Sequence, residues 1–333
     1  MSDIKLFKIE AGNTSELAGY AVQMEKSLQG LFEANLDTLL GVRFLASEHS
    51  TGPVHGGRID TLGLDEDNCP VIVEYKRAVN ENVINQGLYY LDWLMDHRKE
   101  FQWLVMDKLG RDIAGLVDWS APRLLCIAGD FTRYDEHAVK QINRNIELLR
   151  YRRFGTDLLM VELLQAPNLS KAAAAPGNIA TSSLAAKAPA VSSAPTVVGA
   201  TGSAEMSVLG VDPYASQRIS YRITNSPPDL RDLYEAVNAY ITRLGDDIQV
   251  KELKNYIAFK RIKNFACLEV YPQARVVTAY LKIDPGSVLL EPGFTRNVQN
   301  IGHFGTGDLE VSMRTLDDFA KAQPLLQRAY EGG

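Results

Sequence analysis

A stretch of about fifty residues divides this chain of 333 residues into two parts. From Ala166 to Ser216 the sequence is mainly Ala, Ser, Thr, Pro and Gly, without apolar periodicity and with few charged or aromatic residues. Such a segment cannot bury a core. The alternative is a helix nucleated by the alanines, but four prolines would interrupt it: Pro167, Pro176, Pro189 and Pro195. We therefore expect a flexible linker at 166–216 between two domains, 1–165 and 217–333.

The remaining composition is typical of folded protein, with 46% apolar and 23% charged residues. The formal net charge of −6 excludes a protein that coats nucleic acid mainly by electrostatics, although it permits a local basic patch. Residues 1–165 hold 18 basic and 25 acidic side chains, whereas residues 166–333 hold 17 basic and 16 acidic ones. Acidic charge is therefore concentrated in the first domain.

Three cysteines, far apart in the chain, cannot form a disulfide framework or a zinc cluster, so we expect reduced thiols. The first residues lack the basic and apolar regions of a signal peptide. No stretch approaches the roughly 18 apolar residues that are needed to span a bilayer. These features predict a cytoplasmic protein without membrane contact.

The hydrophobic pattern of the first domain predicts an α/β fold with helices around a mixed sheet. The predicted helices are 16–40, 81–97 and 134–150, and the predicted strands are 42–48, 57–64, 71–77, 101–107, 123–128 and 157–164. A smaller α+β domain is predicted to follow, with strands at 256–260, 266–270 and 276–283 between helices at 229–244 and 316–330.

The segment from Gly57 to Lys76 predicts a β-hairpin, because two strand-like runs flank a polar turn. Side chains alternate between the two faces of a strand, so Glu74 and Lys76 share one face. Asp60 lies on the preceding strand, and folding the hairpin brings it beside Glu74. Two adjacent carboxylates repel each other unless a cation lies near them. A divalent metal together with Lys76 would supply that charge.

The first predicted helix adds a third carboxylate. Its apolar stripe runs from Val22 to Leu40, with Glu25 near the centre and Glu33 nearer the edge. A carboxylate within a buried stripe requires a partner or a metal. The alternative is that the helix begins later, which would make Glu25 a solvated acid of the first turn.

The helix after the hairpin has a second face that is polar and aromatic, with Gln86, Tyr89, Tyr90, Trp93 and His97 opposite its leucines. This face suits a cleft. Packing against a neighbouring element is the alternative, and the pattern alone does not decide between the two.

The ordered set of these features resembles the PD-(D/E)XK nuclease superfamily, and within it the branch of mismatch-specific endonucleases and their relatives. The resemblance covers residues 15–165. It rests on four segments: Glu25-Lys-Ser-Leu28-Gln29, Gly57-Arg-Ile-Asp60, Val73-Glu74-Tyr75-Lys76-Arg77 and Asn85-Gln86-Gly-Leu-Tyr-Tyr90-Leu. Two departures are Ile before Asp60, in place of Pro, and Tyr75, in place of an aliphatic residue. The second domain resembles an uncharacterised module that often follows such a domain.

The resemblance implies a restriction-endonuclease-like mixed sheet flanked by helices, and a metal site on it. Asp60 and Glu74 would hold Mg²⁺ or Mn²⁺, with the Tyr75 carbonyl as a backbone ligand and Glu25 acting directly or through water. Lys76 would orient and help to deprotonate the attacking water. Gln86 would position Lys76 or the phosphate.

Several residues are predicted to contact DNA. Residues 249–282 contain seven basic and two acidic side chains, interleaved with aromatic residues, which suits phosphate contact and base stacking. A solvated basic face is the alternative. The predicted contacts are Arg58, Arg77, Tyr90, Lys254, Lys260, Arg261 and Lys263. A second candidate track consists of Lys140, Arg144, Arg150, Arg152 and Arg153, for which capping of a helix C-terminus by Arg150 is the alternative.

The leading hypothesis is therefore a metal-dependent endonuclease that acts on DNA. The first alternative is a nucleic-acid-binding module that keeps the nuclease fold without turnover. The second is a nuclease that a protein partner recruits through the C-terminal domain. Whether the chain forms a homodimer stays open at this point, because sequence pattern does not determine it.

Overall fold

A computed structural model of the chain describes residues 4–21, 25–76, 83–166 and 218–332. Val22 and Arg77 lie outside the described residues. The predicted linker also lies outside them, except for its first residue, Ala166. The strands are β1 (Leu6–Glu10), β2 (Asn13–Leu17), β3 (Gly19–Tyr20), β4 (Val42–Ser50), β5 (Arg58–Asp65), β6 (Pro70–Lys76), β7 (Arg123–Ala128), β8 (Asn145–Phe154), β9 (Leu158–Gln165), β10 (Gln249–Glu252), β11 (Ile257–Lys260), β12 (Asn264–Tyr271), β13 (Val276–Leu281), β14 (Thr295–Asn297) and β15 (Leu309–Met313). The helices are α1 (Glu25–Ala34), α2 (Leu36–Leu40), α3 (Gly52–His55), α4 (Val83–Asp96), α5 (Arg98–Leu109), α6 (Arg111–Ala114), α7 (Arg133–Gln141), α8 (Ile219–Thr224), α9 (Pro228–Thr242) and α10 (Leu316–Gly332).

The N-terminal region, residues 4–166, contains a seven-stranded mixed sheet with the order β3-β8-β7-β6-β5-β4, and β9 pairs with β8. The pairs β6–β7 and β7–β8 are parallel, and the others are antiparallel. The central strand β7 is buried on both faces: Leu124 and Cys126 pack with α4 and α5, while Leu125 and Ile127 pack with α1 and α2. Helices therefore cover both faces of the sheet, which confirms the predicted α/β class.

The C-terminal region, residues 218–332, contains a separate antiparallel sheet with the order β10-β11-β12-β13-β15-β14. One face of this sheet carries the apolar side chains of β12, β13 and β15. They pack against α9 and α10 in a core of their own, which includes Val237 and Leu326. The predicted α+β class of this region is also confirmed. The strand β10 and the pair β14–β15 were not predicted, because they are short and lack a long apolar run.

Three predicted elements of the N-terminal region are wrong. The strand predicted at 101–107 is part of α5, in which Phe101 and Val105 are buried at a spacing of four residues, as in a helix. The helix predicted at 134–150 ends at Gln141, and β8 begins at Asn145 because pairing with β7 overrides the local helical pattern. The first residues of the helix predicted at 16–40 belong to strands β2 and β3, and its later residues form two helices, α1 and α2.

Direct contacts join the two regions. Four lysines of the C-terminal region lie within hydrogen-bond distance of N-terminal acceptors, three of them carboxylates. Ile262 packs against the apolar cluster beneath α1 and α2. The structure therefore shows a C-terminal region that contacts the N-terminal region directly and is not held by a flexible tether alone. The domain boundaries themselves stay a prediction, because residues 167–217 are not described.

Among the described residues, no helix combines the length and the apolar character that a bilayer crossing demands.

Gly63 offers a test of how tightly β5 is packed. A Cβ atom at this position would lie 2.3 Å from Val42 Cγ1 and 2.9 Å from the Arg43 carbonyl oxygen, whereas a Cβ on Gly30 of α1 would meet nothing within 4 Å. Gly63→Ala should lower the free energy of unfolding by about 1–3 kcal/mol through overpacking. Gly30→Ala should raise it by up to about 1 kcal/mol through helix propensity. Urea unfolding measures both changes. Equal effects of the two substitutions would contradict this packing.

Candidate active site at the β5–β6 hairpin

Two carboxylates meet at one end of the β5–β6 hairpin. Backbone pairing of the two strands runs from Leu64↔Pro70 to Thr61↔Val73. Beyond this point, side chains accept the backbone hydrogen bonds: the Asp60 N–H donates to Glu74 Oε1 at 3.2 Å, and the Tyr75 N–H donates to Asp60 Oδ2 at 3.0 Å. The structure therefore brings Asp60 and Glu74 together, as the alternation of side chains predicts.

Burial disfavours the ionised forms of these two carboxylates. Glu74 is completely buried, and its Oε2 has no hydrogen-bond partner among the described residues. Burial, with the adjacent Asp60 carboxylate, raises the pKa of Glu74 to about 9. Burial also raises the pKa of Asp60 to about 6. Two ionised carboxylates in this position require a cation.

Lys76 supplies one positive charge at the end of β6. Its ammonium nitrogen lies 3.4 Å from Glu25 Oε1, and its side chain is mostly buried. Burial lowers the pKa of Lys76, but the carboxylates of Glu25 and Asp60 outweigh burial, so that the net pKa is raised. In this arrangement Lys76 is an ammonium group that can orient an anion or a water molecule.

Glu25 occupies the first turn of α1 and is half-buried. Glu25 is therefore an acid of the first helical turn, as in the alternative, but it is paired with Lys76 and only partly solvated. Within residues 4–21, 25–76, 83–166 and 218–332, no three His, Cys, Asp or Glu side chains are grouped so that they could hold a metal ion. A ligand role of Glu25, direct or through water, stays a prediction.

The neighbouring acid of α1, Glu33, belongs to a hydrogen-bond network that links α1 to the hairpin. Glu33 Oε1 accepts from Thr61 Oγ1 at 2.6 Å and from Gln29 Nε2 at 3.1 Å. Gln29 Nε2 also lies 2.8 Å from the Asp60 carbonyl oxygen and 3.2 Å from Ser47 Oγ. These contacts fix the backbone of β5 at the residue that carries the Asp60 carboxylate.

Gln29 was not predicted as a functional residue. It is buried next to Leu28 on the covered face of α1. A buried amide in an apolar stripe must have hydrogen-bond partners. Its position, four residues after Glu25 and four before Glu33, is the sequence signal that could have identified it.

Gln86 and Tyr90 lie on α4 and help to fix the start of β5. The Tyr90 hydroxyl accepts from the Arg58 N–H at 3.2 Å and from Gln86 Nε2 at 3.3 Å. The Tyr90 ring is buried in the core between α4 and the sheet. The prediction that Tyr90 contacts DNA is therefore wrong, because its ring is not accessible to a base. The role predicted for Gln86 stays a prediction.

Arg58 remains a candidate DNA contact. Its side chain is exposed and lies 3.6 Å from Glu48, an ion pair that a phosphate group can replace. Arg77, the next predicted contact along the hairpin, is outside the described residues.

The four basic residues predicted in the C-terminal region differ in their surroundings. Lys260 is buried against Glu147 at 3.4 Å, so the prediction of a DNA contact is wrong for this residue. Lys263 Nζ donates to the Thr38 carbonyl oxygen, and Arg261 forms an ion pair with Asp247 at 2.6 Å. Lys254 is exposed, and a DNA contact by this residue stays a prediction.

The second basic track is interrupted in its middle. Arg150 is buried in β8 and bonded to Glu162 and Asp130. It therefore neither contacts DNA nor caps a helix. Lys140 and Arg144 are exposed on the segment that precedes β8.

Comparison with known proteins provides few named relatives. Residues 220–332 match a domain of unknown function, DUF5655. Over 98% of its length, the chain is 26% identical to an uncharacterized protein of Haemophilus influenzae, which it covers completely. Two solved structures are similar at 18% sequence identity: a repair endonuclease from Pyrococcus abyssi, over 40% of this chain with a TM-score of 0.26, and an EndoMS–dsDNA complex, over 41% with a TM-score of 0.23. The chain spans half the length of each of these two structures.

Proposed function

We propose that this protein is a metal-dependent endonuclease that hydrolyses phosphodiester bonds of DNA. The observation that carries the proposal is the pair of adjacent carboxylates at Asp60 and Glu74, with an unpartnered buried oxygen on Glu74 and the Lys76 ammonium at the end of the same strand. Buried charge of this kind is costly for stability, and it is typical of active sites.

The donor set fits a hard divalent cation. Asp60 and Glu74 provide carboxylate oxygens, which Mg²⁺ and Mn²⁺ prefer. The Tyr75 carbonyl and a water molecule on Glu25 are the further ligands that we propose. When bound, the metal would stabilise negative charge on the scissile phosphate and lower the pKa of a water molecule.

The remaining roles fall to side chains of the chain itself. The Lys76 ammonium would orient the attacking water and balance the charge of the phosphate. Gln29 would keep Asp60 in place through the backbone of β5, and Gln86 would act on Lys76 or the phosphate. Arg58, exposed at the start of β5, would hold the DNA backbone near the site.

One observation favours a second candidate, a DNA-binding module with the nuclease fold but without turnover. In the described parts of the chain, no group of three His, Cys, Asp or Glu side chains is arranged to hold a metal ion. A module of this kind would bind DNA at the same site and would show no metal-dependent cleavage. Assays of cleavage beside assays of binding distinguish the two.

Metal binding should depend on Glu74. Mn²⁺ at about 100 times its Kd should stabilise the wild-type protein by about 2.7 kcal/mol, seen as a rise in Tm. Glu74→Gln should abolish this rise and leave the metal-free Tm equal or higher, because it removes a buried carboxylate of which one oxygen, Oε2, has no hydrogen-bond partner among the described residues. Asp107→Asn changes an exposed carboxylate of α5 and is the matched control. A full Mn²⁺-induced rise in Glu74→Gln would contradict the site.

Lys76 should matter for cleavage more than for binding. Lys76→Ala should lower the cleavage rate about 100-fold or more and change the affinity for DNA little, because an orienting group acts mainly in the transition state. Single-turnover cleavage of plasmid, single-stranded and branched DNA, with Mg²⁺ or Mn²⁺, measures the effect beside a binding isotherm. The control is Lys99→Ala, an exposed lysine of α5. Absence of cleavage of every substrate by wild-type protein would favour the binding module.

Gln29 should act through Asp60. Gln29→Leu keeps the side chain volume nearly constant but removes the donor to the Asp60 carbonyl, and it should weaken Mn²⁺ binding about 10-fold or more, as is usual for residues behind metal ligands. Ser47→Ala removes a neighbouring hydroxyl of the same network and should change affinity less. Isothermal titration gives both values. Unchanged Mn²⁺ affinity in Gln29→Leu would show that the network is structural only.

A further inference from the structure

The acidic end of the N-terminal sheet faces the basic strands of the C-terminal region. Asp67, in the β5–β6 turn, accepts hydrogen bonds from Tyr256 at 2.8 Å and from Asn264 Nδ2 at 2.7 Å. Its other oxygen lies 3.3 Å from Lys251 Nζ. All four side chains are buried. One carboxylate of the N-terminal region therefore satisfies three donors of the C-terminal region.

A second group of charges continues this contact toward β7 and β8. Arg123 donates two hydrogen bonds to Glu147, at 2.8 and 2.9 Å, and lies 3.3 Å from Asp65. Lys260 lies 3.4 Å from Glu147, and Lys251 lies 3.6 Å from Asp65. With Asp67, the buried network contains three acidic and three basic side chains. Its formal charge is zero only when both regions are in place.

At the rim, Glu66 accepts from the Asn264 backbone N–H at 2.8 Å and from Lys282 Nζ at 2.7 Å. On the same side, Lys263 donates to the Thr38 carbonyl oxygen at 2.9 Å. Separation of the regions would expose Ile262 to water and would replace the hydrogen-bond partners of these polar groups by water.

The same contacts account for most of the basic segment 249–282. Four of its seven basic side chains contact the N-terminal region, and Arg261 and Arg275 pair with Asp247 and Asp229 of their own region. Residues 218–332 hold 15 basic and 14 acidic side chains, so that without those four lysines 11 basic residues face 14 acidic ones. Apart from the four lysines at this contact, the region therefore carries no net positive charge that would attract a DNA backbone.

We propose that the carboxylate face formed by Asp65, Glu66, Asp67 and Glu147 is a docking site for the chain's own C-terminal region, which binds it without help from the segment that connects them. The partner chemistry is a basic sheet edge with tyrosine and asparagine donors. The basic segment serves this contact and does not bind nucleic acid. The nuclease assignment is not needed for this proposal.

The test uses the full chain with a protease site inserted between residues 167 and 217. After complete cutting, native mass spectrometry at about 1 μM protein should show the two fragments as one complex, since a Kd below about 1 μM keeps them assembled. Fragments that separate at this concentration in physiological salt would overturn the proposal.

Two charge variants test whether the carboxylate face is responsible. Lys282→Glu should weaken the cut complex at least about 10-fold, because it places a like charge beside Glu66. Lys321→Glu is the matched control, since the partner of this exposed lysine, Glu291, belongs to the C-terminal region itself. Equal affinities for the two variants would overturn the assignment of the face, and so would retained affinity in Asp67→Ala.

Addition of double-stranded DNA tests the alternative occupant. The cut complex should stay intact at every DNA concentration up to a large excess over the protein. DNA that displaces the N-terminal fragment from the C-terminal one would show that the basic segment is a nucleic-acid site, and this result would overturn the proposal.

Discussion

Buried carboxylates at the two ends of one hairpin are the constraint on which this structure depends. At one end of β5–β6, Asp60 and Glu74 meet without a full set of protein donors. At the other end, Asp65 and Asp67 are buried among cationic and hydroxyl groups from two other strands, β7 and β10, and from the loop before β11. The second set is neutralised by protein side chains and is therefore structural. The first set is incomplete, and that difference is why the function is assigned to it.

Different parts of the chain hold the two ends of the hairpin. Helix α1, through Gln29 and Glu33, holds the end with the incomplete site. The C-terminal region holds the turn end, about five residues away along β5, which at roughly 3.3 Å per residue is about 17 Å. The C-terminal region thus supports the hairpin without contributing a side chain to the candidate site.

The local sequence pattern was sufficient to predict some elements of this structure. Alternation along two strands placed Asp60 beside Glu74, and the strand at 123–128 was predicted with its observed bounds. The pairing of strands that are far apart in the chain could not be predicted from the sequence. The residues of β8 have a helical pattern, but they lie between parallel and antiparallel neighbours that only the folded sheet provides. Lys251 and Asp67 are 184 residues apart, and three lysines of the basic segment contact carboxylates of the N-terminal region, which no local pattern could indicate. The role of Gln29 also depends on a partner in another element.

We propose that a metal ion completes the site at Asp60 and Glu74. Anomalous diffraction from crystals grown with Mn²⁺ is the test. We expect an anomalous peak in contact with both Asp60 and Glu74, with Glu74 Oε2 as one of the ligands. Crystals that hold Mn²⁺ elsewhere, while Glu74 Oε2 contacts only protein atoms or water, would contradict it.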